Sequence, residues 1–240
     1  MKIIAVARFI GLILLIFRCI IPIYFRSFFV KNDVWYGLKR RQKMSASLMK
    51  LLGIDLKVVG LPLQGTYLYV SNHQSYIDPA IISKYIMALT ITKAEVEKWP
   101  LIGFAVKLTG NLFVKRESRQ SRLAVFQGLK DCLNVGLPIL LFPEGTTSTN
   151  DITLPFQSGG FSVAAEQGIG VVPIAVSYGS KEDCFVGDET FIAHFFRCFA
   201  KPKMKAYVYF GEPIFDTDAK TLRDETKKAI DFYLIQLVFR

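Results

Sequence analysis

Histidine, cysteine and, at one end, acidic charge are scarce in this 240-residue chain. There are two histidines, His73 and His194, and four cysteines, Cys19, Cys132, Cys184 and Cys198, with no CxxC pair among them. A zinc site needs about four N or S ligands at clustered spacing, so no metal centre is expected. Four scattered cysteines do not make a disulfide framework either; free thiols in a reducing compartment follow. No Gly-x-Ser-x-Gly elbow and no Gly-x4-Gly-Lys-[Ser/Thr] loop occurs, which argues against the common serine hydrolases and P-loop nucleotide enzymes. Gly168-Ile169-Gly170 precedes an apolar strand run instead of following one, so it is no dinucleotide loop. Residues 1–60 hold only 2 acidic side chains against 11 basic ones, whereas the remainder holds 18 against 19. The net charge of +10 is therefore almost wholly N-terminal. A nearly neutral body with a basic, greasy end suits an anionic membrane surface better than a nucleic-acid groove.

What is plentiful is apolar side chain. Hydrophobic residues make up 51% of the chain, enough to exclude a disordered polymer and to fill a core. Residues 3–30 are apolar apart from Arg8, Arg18, Arg26, Ser27 and a few neutral positions. The uncharged run Phe9–Phe17 is shorter than the ~20 residues a spanning helix needs. At ~100° per residue Arg8 and Arg26 coincide on a helix, with Arg18 nearby. An interfacial or half-inserted helix is predicted, bent at Pro22, with arginines snorkelling to headgroups. A cleaved signal peptide fits less well, because Arg18-Cys19-Ile20-Ile21-Pro22 follows the apolar run where small residues would be needed. Residues 38–52 read as a second amphipathic basic helix, lying on the membrane or packing on the body. This N-terminal segment is assigned to residues 1–54, and a catalytic-size domain to 55–240.

From residue 56 the pattern alternates. Short β-rich runs occupy 56–59, 66–70, 89–92, 111–114, 138–142, 170–176 and 205–210, with helical stretches at 79–88, 100–108, 118–135, 159–167 and 221–238. Such alternation predicts an α/β fold, a mostly parallel mixed sheet flanked by helices, with its site beyond the carboxyl ends of strands. Phe191–Phe199 with Lys201, Lys203 and Lys205 reads as a patch dipping into the bilayer interface in preference to ordinary core, and His194 within it as a packing histidine.

Four segments carry chemistry. In Ser71–Pro79, His73 could remove a proton from a hydroxyl if Asp78 orients its ring. Five residues of separation place the two about 140° apart on a helix, so the chain between them must turn; Asp78 before Pro79 would also make a good helix cap. In Gly110–Arg116 a strand delivers Lys115 and Arg116, suited to gripping phosphate or simply to forming a solvated basic loop. In Phe142–Ser148, Glu144, Gly145, Thr146 and Thr147 offer close backbone approach, hydroxyls and a carboxylate, or a plain turn. Val172-Pro173-Ile174 reads as an apolar wall.

Asn72-His73-x4-Asp78, then Gly110-x-Leu112-Phe113-Val114-x-Arg116, then Phe142-Pro143-Glu144-Gly145-Thr146-x-Ser148, then Val172-Pro173-Ile174 resemble, in order and spacing, the four blocks of the PlsC-type glycerolipid acyltransferases. That family includes the 1-acylglycerol-3-phosphate acyltransferases. The likeness covers about residues 55–215, and Phe156-Gln157-Ser158-Gly159 stands where the family has a Phe-x-x-Gly element. It implies transfer of an acyl chain from acyl-CoA or acyl-carrier protein to the hydroxyl of a lysolipid, with no other cofactor. It implies His73 as general base and Asp78 as its orienting carboxylate. Asn72, Lys115, Arg116, Glu144, Gly145, Thr146 and Thr147 would then contact substrate. Thr147 departs from the pattern, since phosphatidate-forming members commonly have arginine there and threonine cannot pair with phosphate as a guanidinium does. Lysophosphatidate remains the first expectation, with lyso-ornithine lipids or lysophospholipids as alternatives. A thioester or lipid hydrolase and a non-catalytic membrane-binding protein are the rivals from other classes. Membrane association at the cytoplasmic face, of a bacterial inner membrane, completes the expectation.

Overall fold

The computed structural model describes residues 2–238 apart from positions 32, 100, 110, 116 and 117, and leaves out the side chains of 119, 122, 237 and 238. Two helices come first, α1 (Lys2–Ser27) and α2 (Val34–Leu52). Asp33 caps α2 by accepting from the Tyr36 amide, and Gly53 ends it in a left-handed conformation that needs no side chain. The chain continues through β1 (Ile54–Val59), β2 (Leu68–Ser71), α3 (Asp78–Ser83), β3 (Leu89–Lys93), α4 (Ile102–Leu108), β4 (Leu112–Val114), α5 (Arg119–Asn134) and β5 (Ile139–Leu141). It closes with α6 (Gly159–Gln167), β6 (Val171–Tyr178), α7 (Phe191–Cys198), β7 (Met204–Phe210) and α8 (Ala219–Val238).

The strands form one sheet in the order β1-β7-β6-β2-β5-β3-β4. Every neighbouring pair is parallel except β6–β7. The fold is thus the α/β arrangement expected, and all seven strands lie within two residues of the predicted runs. Strand β2 is buried along its whole length because both sheet faces are covered. Its alternation sorts the core. Tyr69 joins Leu140, Val172 and Val208 under α2, α3 and α7, while Leu68 and Val70 join Ile139 and Ala175 under α5, α6 and α8.

Three local expectations are corrected. Arg8 does not snorkel: it turns inward and donates to the carbonyls of Leu51, at the end of α2, and of Phe199, Lys201 and Pro202, in the chain just after α7. The outward face of α1 is instead an apolar stripe of Val6, Ile10, Leu14, Phe17, Ile21 and Phe25. The 191–199 segment is a helix packed into the core, not an interfacial patch. Phe195 and Phe199 are each 1% exposed, and Phe195 meets Phe9 of α1 edge-on at 5.3 Å. His194 is buried there as a packing group, its Nδ1 against the Tyr76 hydroxyl at 3.0 Å. Third, Asp78 opens α3 as its first residue and does not cap it; its side chain has another use.

Candidate active site

Strand β2 ends at Ser71, and the next four residues turn sharply, as the His73–Asp78 spacing requires. Asn72 begins the turn by bridging to β6: its Oδ1 accepts from the Val176 amide at 2.8 Å and its Nδ2 donates to the Val176 carbonyl at 2.9 Å. The side chain prolongs the β2–β6 ladder by one rung. Expected among the substrate contacts, it is 2% exposed with both polar ends bonded to backbone.

His73 follows, with Nδ1 2.8 Å from Asp78 Oδ2. The same carboxylate oxygen accepts from the Gln74 amide at 2.7 Å and the Ser75 amide at 2.8 Å. Asp78 therefore fastens its own preceding turn. Its other oxygen, Oδ1, accepts from the Tyr178 hydroxyl at the end of β6, at 2.5 Å. Asp78 is fully buried, whereas the His73 side chain keeps 19% exposure. The Asp78 carboxylate fixes the proton on Nδ1 and leaves Nε2 as the ring nitrogen free to take one. Phe142 stacks on the imidazole, ring centres 4.3 Å apart, and blocks its rotation.

The Phe142–Ser148 loop is clipped to this turn. The Ser148 amide donates to the His73 carbonyl at 2.9 Å. Glu144 Oε1 accepts from the His73 amide and Oε2 from the Leu154 amide, each at 2.8 Å. Burial pushes the Glu144 carboxyl above its ordinary value, and the two amides pull it back. Expected as a headgroup ligand, Glu144 holds backbone with both oxygens. Gly145, at φ +76, lets the loop reverse where a side chain would be strained. Thr146 is exposed and Thr147 half-buried beside it.

His73, Glu144, Gly145, Thr146 and Thr147 border a cavity of about 1080 Å³ that runs between the sheet and helices α1, α2 and α4. Its walls include Leu12, Ile16, Met44, Leu48, Ile102 and Phe126, a lining suited to an alkyl chain. Lys115 is exposed and does not border it; Arg116 lies outside the described residues. Arg41 does border it, although it was expected on a basic solvated or membrane-bound face. It donates to Asn111 Oδ1 at 2.7 Å and to the Ala88 carbonyl, tying α2 to the starts of β3 and β4. Desolvation lowers its pKa to about 10, so it stays cationic near neutrality. Tyr178 and Arg41 were missed in the sequence, one 100 residues from its partner and the other hidden among the five cations of a basic helix.

The pattern of the family described as Acyltransferase matches residues 55–177. This chain belongs to the acyltransferase family. It is 32% identical over 174 residues to the lyso-ornithine lipid O-acyltransferase of Pseudomonas aeruginosa, covering 70% of this chain and 67% of that one. It is 35% identical over 138 residues to the 1-acyl-sn-glycerol-3-phosphate acyltransferase of Saccharomyces cerevisiae, covering 54% of this chain but only 46% of the yeast enzyme. The crystal structure of PlsC from Thermotoga maritima, a 1-acyl-sn-glycerophosphate acyltransferase, superposes with a TM-score of 0.78 at 23% identity, over 100% of this chain and 99% of that one. It shares this acyltransferase's fold from the first helix to the last.

Proposed function

We propose that this acyltransferase moves an acyl chain from a thioester, acyl-CoA or acyl-carrier protein, onto the free hydroxyl of a lysolipid. The observation that carries the reading is His73, oriented by buried Asp78, at the edge of a cavity shaped for an alkyl chain. His73 Nε2 removes the hydroxyl proton as the acceptor oxygen attacks the thioester carbonyl. The tetrahedral adduct collapses to the ester, and the imidazolium returns the proton to the departing thiolate. No acyl-enzyme is needed, and no cofactor beyond the donor. Holding the hydroxyl, thioester and base together supplies much of the rate, and the positioned base a further ~10²–10⁴-fold.

For the acceptor, Thr147 favours a lysolipid whose headgroup is not gripped by a guanidinium at that position. Lyso-ornithine lipid therefore comes first, in keeping with the Pseudomonas relative, and lysophosphatidate second. The apolar stripe of α1 fits membrane attachment, since α1 is long and apolar enough to cross a bilayer. Attachment at the cytoplasmic face, with α1 in the interface of an anionic membrane, accords with the basic N-terminus.

The test is thiol release from acyl-CoA and from acyl-carrier protein by the full chain in vesicles, with lyso-ornithine lipid, lysophosphatidate or no acceptor. Release that requires a lysolipid and falls ~10²–10⁴-fold in His73→Ala is expected. Release without any lysolipid would make the protein a hydrolase, and undiminished transfer in His73→Ala would remove the base.

A further inference from the structure

We infer that Tyr178 is a positioning residue that sets the basicity of His73 by holding the second oxygen of Asp78. The inference rests on His73 acting as the base.

Asp78 is buried with four donors around it. Three of them, His73 Nδ1–H and the Gln74 and Ser75 amides, crowd onto Oδ2, and Tyr178 alone serves Oδ1. The two amides lie in the same turn as Asp78 and move with it. Tyr178 does not: it is the last residue of β6, a strand paired on both sides and buried at all but one of its positions. Among the described residues its hydroxyl is therefore the hydrogen-bond donor that ties the carboxylate to the sheet, and it helps fix the angle at which Oδ2 meets the imidazole. Burial and the neighbouring Asp78 charge push the phenol far up from its ordinary value, so it remains a donor throughout the working range.

The electrostatic consequence has a definite sign. A hydroxyl donating to Oδ1 draws negative charge away from Oδ2. Removing it concentrates charge on the oxygen that faces Nδ1–H, which favours the imidazolium. His73 would then hold its proton more tightly, and the rising limb of kcat/KM would move to higher pH. The other titratable groups facing the pair are Glu144, bonded to two backbone amides, and Cys184, a thiol pushed up to about 12 by burial. Neither contacts Asp78 Oδ1.

Tyr178→Phe tests this, with Tyr69→Phe as the control. Tyr69 is also buried and its hydroxyl donates to the Leu63 carbonyl at 2.7 Å, away from the dyad. Expected in Tyr178→Phe are a kcat lowered roughly ten- to a hundredfold, a KM within about twofold, and a rising limb at higher pH. Tyr69→Phe should lose thermal stability alone. If Tyr178→Phe does not fold, a ring-fluorinated tyrosine at 178, isosteric but more acidic, should shift the limb to lower pH. A Tyr178→Phe enzyme with wild-type kcat and limb, or an unmoved limb with the fluorinated residue, overturns the inference. Activity that survives His73→Ala would instead overturn the reading beneath it.

Discussion

The two sides of the sheet are built to different standards. Around β2 and β6 the strands are paired on both edges, and the side chains that define the His73 turn are fixed by several hydrogen bonds each. Asn72 goes to Val176, Asp78 to two amides, His73 and Tyr178, and Glu144 to two amides. Around β3 and β4 the strands are short, β4 having 3 residues, and the covering helices α1, α2 and α4 stand off the sheet to leave the cavity. A buried polar group left unpaired costs about 1–3 kcal/mol, and on that side Asn72, His73, Asp78 and Glu144 are each held by hydrogen bonds, while Gln74 Oε1 is buried without one. An alkyl chain demands only apolar volume, so the other side is hollow.

Three substitutions would break or sharpen this contrast. The largest effect is expected from Glu144→Gln. One oxygen still accepts, but the new amide group confronts a backbone N–H, loosening His73. The kcat should fall roughly ten- to a hundredfold with KM for the lysolipid nearly unchanged. Steady-state kinetics in vesicles decide it: a raised KM with intact kcat would make Glu144 a headgroup ligand after all.

Next comes Gly159→Ala on the hollow side. A Cβ there would lie 2.1 Å from Phe126 Cζ, so the ring must swing, and both residues border the cavity. Long acyl donors should lose about five- to tenfold in kcat/KM while short ones keep theirs. A uniform loss across chain lengths would show that Phe126 moves elsewhere. The smallest effect is expected from Thr147→Arg. Adding a guanidinium beside the turn should raise kcat/KM for lysophosphatidate about three- to tenfold relative to lyso-ornithine lipid. An unchanged ratio between the two acceptors would remove Thr147 as the selector.

Much of the architecture could be read in advance because it rests on local signals. Short β-rich runs and helical stretches, separated by polar and glycine-rich punctuation, marked every strand and most helices. The turn between His73 and Asp78 followed from spacing alone. Phe191–Phe199 could not be resolved that way, since an aromatic-rich helix face looks the same in sequence whether a membrane or the protein covers it. Arg8 misled for a related reason: helical geometry gives its angle but not that the carbonyls of Leu51 in α2 and of three residues just after α7 lie beside it.

The alternation of the α/β sheet, the basic, apolar character of the N-terminus, and the short segments that carry His73, Asp78 and the Glu144 loop are all legible in the amino-acid order. These depend on residues a few positions apart, where chain geometry leaves few choices. Only the tertiary structure decided which of those polar groups are free for substrate. Asn72 and Glu144 are spent on backbone, Tyr178 arrives from 100 residues away, and Arg41 turns to the cavity. Hydrogen bonds are satisfied by whatever the fold brings within about 3 Å, and distance along the chain carries no record of that.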